Sequence, residues 1–144
     1  MKKCSDVMTQ DPVCCLPTDS VSKAAQLMKD EDVGSIPVIE DEQTMKLIGI
    51  VTDRDLALQV VAPEWDAETT QVDEVMTYEV ITCRADDDVQ KALDAMAQHQ
   101  LRRMPVIDSD HRIVGIISQA DVATRVDRTE ETAEMVKEIS QPTT

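Results

Sequence analysis

The chain has 144 residues, with 29 Asp and Glu against 14 Lys and Arg, a formal net charge of −15, one Trp, one Tyr and no Phe. So acidic a chain repels a nucleic-acid backbone or an anionic membrane, and the shortage of rings removes the stacking platforms that single-stranded nucleic acid needs. No apolar run approaches the roughly 20 residues of a membrane-spanning helix, and the start Met1-Lys2-Lys3-Cys4-Ser5-Asp6 leads into polar sequence. A cytoplasmic protein is therefore expected, with Cys4, Cys14, Cys15 and Cys83 as reduced thiols rather than a disulfide framework.

In chain order, the segment Val7-Met8-Thr9 opens the sequence, and Cys15 occupies a strand position suited to a small apolar side chain. Ser20 is an N-cap candidate before Val21, Ala24, Ala25 and Met28, which recur at helical spacing. Two short β-branched runs, Ile36 to Ile39 and Leu47 to Thr52, predict the strands of a hairpin. Thr52 then stands where a strand ends and a helix carrying Leu56 and Val60 can start, and Ala62-Pro63-Glu64-Trp65-Asp66 breaks that helix into a linker.

From there the sequence repeats. An offset of 68 lays Val7-Met8-Thr9 on Val75-Met76-Thr77, Cys15 on Cys83, Lys23-Ala24 on Lys91-Ala92, Met28 on Met96 and Pro37-Val38-Ile39 on Pro105-Val106-Ile107. After the next turn the offset becomes 66, and Leu47 to Thr52 falls on Ile113 to Ser118, with Asp55 on Asp121. Asp88 is the second N-cap candidate, before Val89, Ala92, Leu93 and Met96, with Asp86 and Asp87 also suited to the positive end of that helix. Asp127 and Glu130 resemble a capping box opening a last helix with Met135, Val136 and Ile139.

The expected fold is α/β, two tandem copies of a strand-helix-strand-strand-helix unit over residues 1–62 and 71–126, with a linker over 63–70 and a C-terminal helix and tail over 127–144. A unit of about 50 residues cannot cover both faces of its sheet, so the copies are expected to pack sheet to sheet with pseudo-twofold symmetry. In each copy a hydroxyl, Thr52 or Ser118, meets a helix start and a carboxylate three residues on, Asp55 or Asp121. Such a carboxylate can accept from two adjacent hydroxyls while the helix start favours a phosphate, which suits a phosphorylated polyol. The competing reading is an ordinary first-turn acid that complements the helix dipole.

The strings Gly49-Ile50-Val51-Thr52-Asp53-Arg54-Asp55 and Gly115-Ile116-Ile117-Ser118-Gln119-Ala120-Asp121 resemble the ribose-phosphate motif of CBS domains, named for cystathionine β-synthase. Ser35-Ile36-Pro37-Val38 and Arg103-Met104-Pro105-Val106 resemble that family's adenine-lining strand, and Val7-Met8-Thr9 and Val75-Met76-Thr77 are similar to its opening segment. The resemblance covers nearly the whole chain outside the linker and last helix. It implies a CBS pair, or Bateman module, that is not an enzyme but binds AMP, ATP or NAD as a regulatory ligand in clefts between the copies. It also implies signalling by a conformational or dimer change, as a homodimer acting on a regulated protein.

By the same resemblance, Asp55 and Asp121 hold ribose hydroxyls, Thr52 and Ser118 assist at ribose or phosphate, and Ile36 and Met104, with Pro37 and Pro105, flank adenine. Thr9, Val13, Thr77 and Ile81 complete the implied ligand shell. Arg103 matches a phosphate-binding arginine, whereas Ser35 departs from that pattern and leaves Arg54 as the available substitute, so two unequal sites are expected.

Two other readings stand beside this one. Clustered acids, Asp86-Asp87-Asp88 and Glu40-Asp41-Glu42, fit a divalent-cation (Mg²⁺) sensor, and the unit fits a ligand-free interaction scaffold. No Ser-His-Asp, Cys-His or phosphate-loop constellation appears, no Cys-x-x-Cys or paired His marks a metal, and the Met residues fall at core positions.

Overall fold

The computed structural model describes residues 2–125, and the expected C-terminal helix with Asp127, Glu130, Met135, Val136 and Ile139 lies outside them. In chain order the elements are α1 (Cys4–Val7), β1 (Thr9–Gln10), α2 (Val21–Glu31), β2 (Ser35–Ile39), β3 (Leu47–Thr52) and α3 (Asp53–Leu56), which one π-helical turn, Ala57–Val61, continues. After a 3-10 turn at Val72–Glu74 come β4 (Cys83–Arg84), α4 (Val89–His99), β5 (Arg103–Ile107), β6 (Ile113–Ser118) and α5 (Gln119–Arg125). The chain divides in space at Val13 and Val80: residues 13–80 form one unit, and the segment before Val13 joins the chain from Ile81 onward in the other. The opening segment of each sequence repeat has therefore moved into the unit built on the other repeat.

In the unit of residues 13–80, β2 and β3 pair antiparallel, Ser35 opposite Thr52 and Ile36 opposite Val51. Cys15 extends this hairpin through a parallel bridge to Val38, and Thr77 extends it on the other edge through an antiparallel bridge to Ile50. Strand alternation turns Ile36, Val38 and Val51 toward α2, where Val21, Ala24 and Met28 meet them in one core with Cys15, Val60, Val72, Val75 and Met76. Ala25, expected in the apolar stripe, is exposed. Its methyl group falls beside the stripe, whereas its counterpart Leu93 on α4 is long enough to reach the core and is fully buried.

The other unit repeats the plan with fuller strands, in the order β1-β6-β5-β4. Here β1 lies antiparallel to β6, with Thr9 opposite Ile116, and β4 lies parallel to β5, with Cys83 opposite Val106. Its core joins Cys4, Val7 and Cys83 to Val89, Ala92, Leu93 and Met96 of α4 and to Met104, Val106, Ile117 and Val122.

Helix starts are satisfied partly from outside the helix, as their unpaired N–H groups require. The Ser20 hydroxyl accepts from the Lys23 N–H at 3.1 Å, as a capping serine should. Asp88 occupies the N-cap of α4, yet its side chain makes no capping bond. The first N–H groups find main-chain carbonyls instead: Val89 donates to Lys2 at 3.0 Å, Val21 to Thr70 at 2.9 Å and Ser22 to Ala67 at 3.0 Å. Residues 63–70, expected as a linker, thus hold the start of α2, and Thr70 is buried. Both long helices end alike, on a left-handed residue, Asp32 (φ 55°) and Gln100 (φ 56°), with Val33 donating back to Met28 and Leu101 to Met96 at 3.0 and 2.8 Å.

Gly49 and Gly115 make room for the exchanged segments. A Cβ on Gly115 would lie 2.6 Å from Met8 Sδ and 2.8 Å from the Thr9 carbonyl oxygen, and one on Gly49 would lie 2.9 Å from Met76 Sδ and 3.0 Å from the Thr77 oxygen. The carbonyl belongs to backbone held in the ladder and cannot swing aside. Gly115→Ala is expected to lower the unfolding free energy by about 1–3 kcal/mol in urea denaturation, and Gly49→Ala by less. Gln100→Gly, which removes a Cβ from a left-handed site, should raise it by roughly 0.5 kcal/mol in the same assay, the gain being partly offset by glycine's freedom in the unfolded chain.

Candidate functional site

At the end of β3 the chain turns directly into α3, and the turn is closed reciprocally. The Thr52 hydroxyl accepts from the Asp55 N–H at 3.0 Å, and the Asp55 carboxylate accepts from the Thr52 N–H at 3.0 Å. At the end of β6 the same pair recurs, with Ser118 Oγ accepting from the Asp121 N–H at 3.1 Å and Asp121 Oδ2 accepting from the Ser118 N–H at 3.2 Å. The first-turn acid and the candidate ligand contact are thus the same group: Asp55 and Asp121 cap their helices and remain only half-buried.

A third side chain completes each cluster, and it comes from the exchanged segment. Thr77 donates its hydroxyl to Asp55 at 3.2 Å, and Thr9 donates to Asp121 at 3.3 Å from 112 residues away in sequence. Both threonines were expected near a ligand, but nothing in periodicity pairs Thr9 with Asp121 rather than with the aspartate of its own repeat. The signal that bears on it is the bare backbone of Gly115 and Gly49 on the strands those segments approach.

The remaining expected residues divide. Ser35 stands opposite Thr52 in the sheet and Arg103 opposite Ser118, so a guanidinium-bearing residue borders the second cluster where the first has a hydroxymethyl group. Arg54 is exposed on α3, one residue before Asp55. Val13 is exposed in the unit that holds Asp55, while Ile81 packs half-buried against the core of the unit that holds Asp121. Ile36 and Met104, expected beside an adenine, are each only 1% exposed, with their side chains inside the core of their units. The period-2 alternation of β2 and β5 assigns them to the helix-facing side with Val38 and Val106, and Pro37 and Pro105, also buried, fall on the opposite strand face.

Cys14 and Cys15 are set by burial, and the acidic stretches by local turn bonds. Burial pushes Cys14 up to about 11 and Cys15 up to about 12, which keeps both as unreactive thiols at neutral pH. In the acidic stretches, Asp87 accepts from the Arg84 N–H at 2.8 Å and from Lys91 at 3.4 Å, and Asp41 accepts from the N–H groups of Gln43 and Thr44. Those turn bonds hold the Asp41 carboxyl below its ordinary value. Among the described residues no three His, Cys, Asp or Glu side chains come together to hold a metal ion, and no helix is long and apolar enough to cross a membrane.

A family model described as CBS domain matches residues 4–62 and again 72–128. The chain is 38% identical over 123 residues to the CBS domain-containing protein YhcV of Bacillus subtilis, covering 85% of this chain and 84% of that one. It is similar to the crystal structure of Hypoxic Response Protein I with two coordinated zinc ions, at 32% identity and a TM-score of 0.76 over 88% of this chain and 100% of that one. It is also similar, at 27% identity and a TM-score of 0.70 over 85% of this chain and 94% of the other, to the CBS domain pair of protein MJ0100 in complex with 5′-methylthioadenosine and S-adenosyl-L-methionine. With a family match over each repeat, in the span where the Thr52–Asp55 and Ser118–Asp121 turns recur, this chain belongs to the CBS domain family.

Proposed function

We propose that the chain is a regulatory module that binds adenosine-type ligands, with the ribose held at the clusters Thr77–Asp55–Thr52 and Thr9–Asp121–Ser118. The observation that carries this reading is the same three-residue arrangement built twice, each time with a carboxylate fixed by a backbone N–H and a threonine hydroxyl. A carboxylate held in this way can accept from two vicinal hydroxyls without reorganising, because its orientation is set before the ligand arrives. The complex of the MJ0100 domain pair with two adenosyl compounds supports that ligand class.

The two sites are unequal in this proposal. Arg103 beside Ser118 favours a phosphorylated ligand such as AMP, ATP or NAD at the second cluster, since guanidinium forms paired hydrogen bonds with phosphate. Ser35 beside Thr52 gives the first cluster no such charge, and an uncharged or cationic adenosyl ligand suits it better. Ligand occupancy then signals through the segments carrying Thr9 and Thr77, because each contributes to a cluster without belonging to the repeat that supplies the carboxylate.

Calorimetry on protein freed of co-purified ligand, with AMP, ATP, NAD, 5′-methylthioadenosine and S-adenosylmethionine, tests this directly. Asp121→Ala should weaken the phosphorylated ligand by roughly 10-fold or more, as expected for losing a charged hydrogen bond, and leave the other site intact. Arg103→Ala should weaken ATP and AMP but not 5′-methylthioadenosine. Absence of binding by all five compounds to folded wild-type protein would overturn the proposal.

A further inference from the structure

The two units differ in their cores at one matched pair of positions. In the unit of residues 13–80, Val72 and Cys15 share the core; at the positions related to them by the repeat offset, the other unit has Cys4 and Cys83. Backbone bonds draw α1 onto the start of β4's unit, with Cys4 donating to the Asp87 carbonyl at 2.9 Å and Ser5 to the Ala85 carbonyl at 3.0 Å. Both thiols then enter the same core: Cys4 Sγ donates toward the Asp88 carbonyl at 3.8 Å and Cys83 Sγ toward the Pro105 carbonyl at 4.0 Å. Both are free thiols, fully or almost fully buried.

We propose that Cys4 and Cys83 form an oxidisable pair that closes to a disulfide under peroxide, tying the segment that carries Thr9 covalently to the unit that carries Asp121. The pair is chemically asymmetric. Interaction with the Cys83 thiol holds Cys4 below an ordinary thiol, against burial and the nearby Asp87 and Asp88, while interaction with Cys4 and burial push Cys83 up. Cys4 is therefore the attacking sulfur. Its thiolate displaces hydroxide from hydrogen peroxide to give a sulfenic acid; Cys83 then attacks that sulfur, the S–S bond forms and water leaves. Overall two thiols lose two electrons and two protons, and one peroxide becomes two waters. Because Cys4 is fully buried, reaction waits on opening of the four-residue α1, and reclosure presents Cys83.

The bond would enclose all of residues 13–80 in one covalent loop, since Cys4 precedes that unit and Cys83 follows it. Long loops lose the most unfolded-state freedom on cross-linking, and the tie would also keep β1 on β6. The inference does not depend on nucleotide binding.

The test treats the full chain with hydrogen peroxide, unfolds it without reductant, alkylates the remaining thiols and maps peptides by mass spectrometry. The expected product links the Cys4 peptide to the Cys83 peptide, two hydrogens lighter than the pair, and the midpoint of thermal unfolding rises by about 5 °C or more until dithiothreitol reverses it. Cys4→Val, which installs the residue the other unit uses at this position, should fold and show neither the link nor the rise; Cys83→Ala serves as the second control. Recovery of both residues alkylated, either one as sulfinic acid, or either one linked to Cys14 or Cys15 would overturn the proposal.

Discussion

Each opening segment adds to the free edge of a hairpin strand, β1 on β6 and Thr77 on β3, and the rest of the arrangement depends on that approach. It is possible only because the facing residue has no side chain: a single Cβ at Gly115 or Gly49 would press into the carbonyl of Thr9 or Thr77. The contact supplies backbone hydrogen bonds to an edge that would otherwise be unpaired, and it draws Cys4 and Val7, or Val72 and Val75, into the core beneath α4 or α2. It also sets a threonine hydroxyl on the carboxylate at the head of the following helix.

That carboxylate has a structural task of its own. Asp55 and Asp121 close a strand-to-helix turn that has no spare residue, since α3 and α5 begin directly after the last residues of β3 and β6. The reciprocal bonds with Thr52 and Ser118 fix the carboxylate's orientation as a by-product of capping. A group oriented by its fold, half-exposed and charged, is suited to ligand contact because the cost of ordering it is met in folding. In the proposed reading the structural acid and the binding acid are therefore one group, held by one geometry.

The two units share their plan but not their chemistry. Arg103 against Ser35, Cys4 against Val72 and Leu93 against Ala25 are differences at positions matched by the repeat offset. Both units keep the strand alternation that sets Ile36, Val38 and Met104, Val106 toward their helices despite these replacements. Divergence of this kind can alter ligand charge preference or thiol chemistry in one unit while leaving the shared backbone intact.

By itself the sequence determined the duplication, the α/β pattern of each copy, both hairpins, both long helices and the turns at Thr52 and Ser118, because those follow from local periodicity and capping, which act over a few residues. It also placed Asp55 and Asp121 correctly at helix starts. Only the tertiary structure decided that Thr9 belongs with Asp121 and Thr77 with Asp55, that the side chains of Ile36 and Met104 lie in the core, and that Ala67 and Thr70 cap α2. Each of those depends on which distant backbone fills a strand edge or a helix end. That competition is settled by three-dimensional fit at Gly49 and Gly115, not by any pattern a single segment carries.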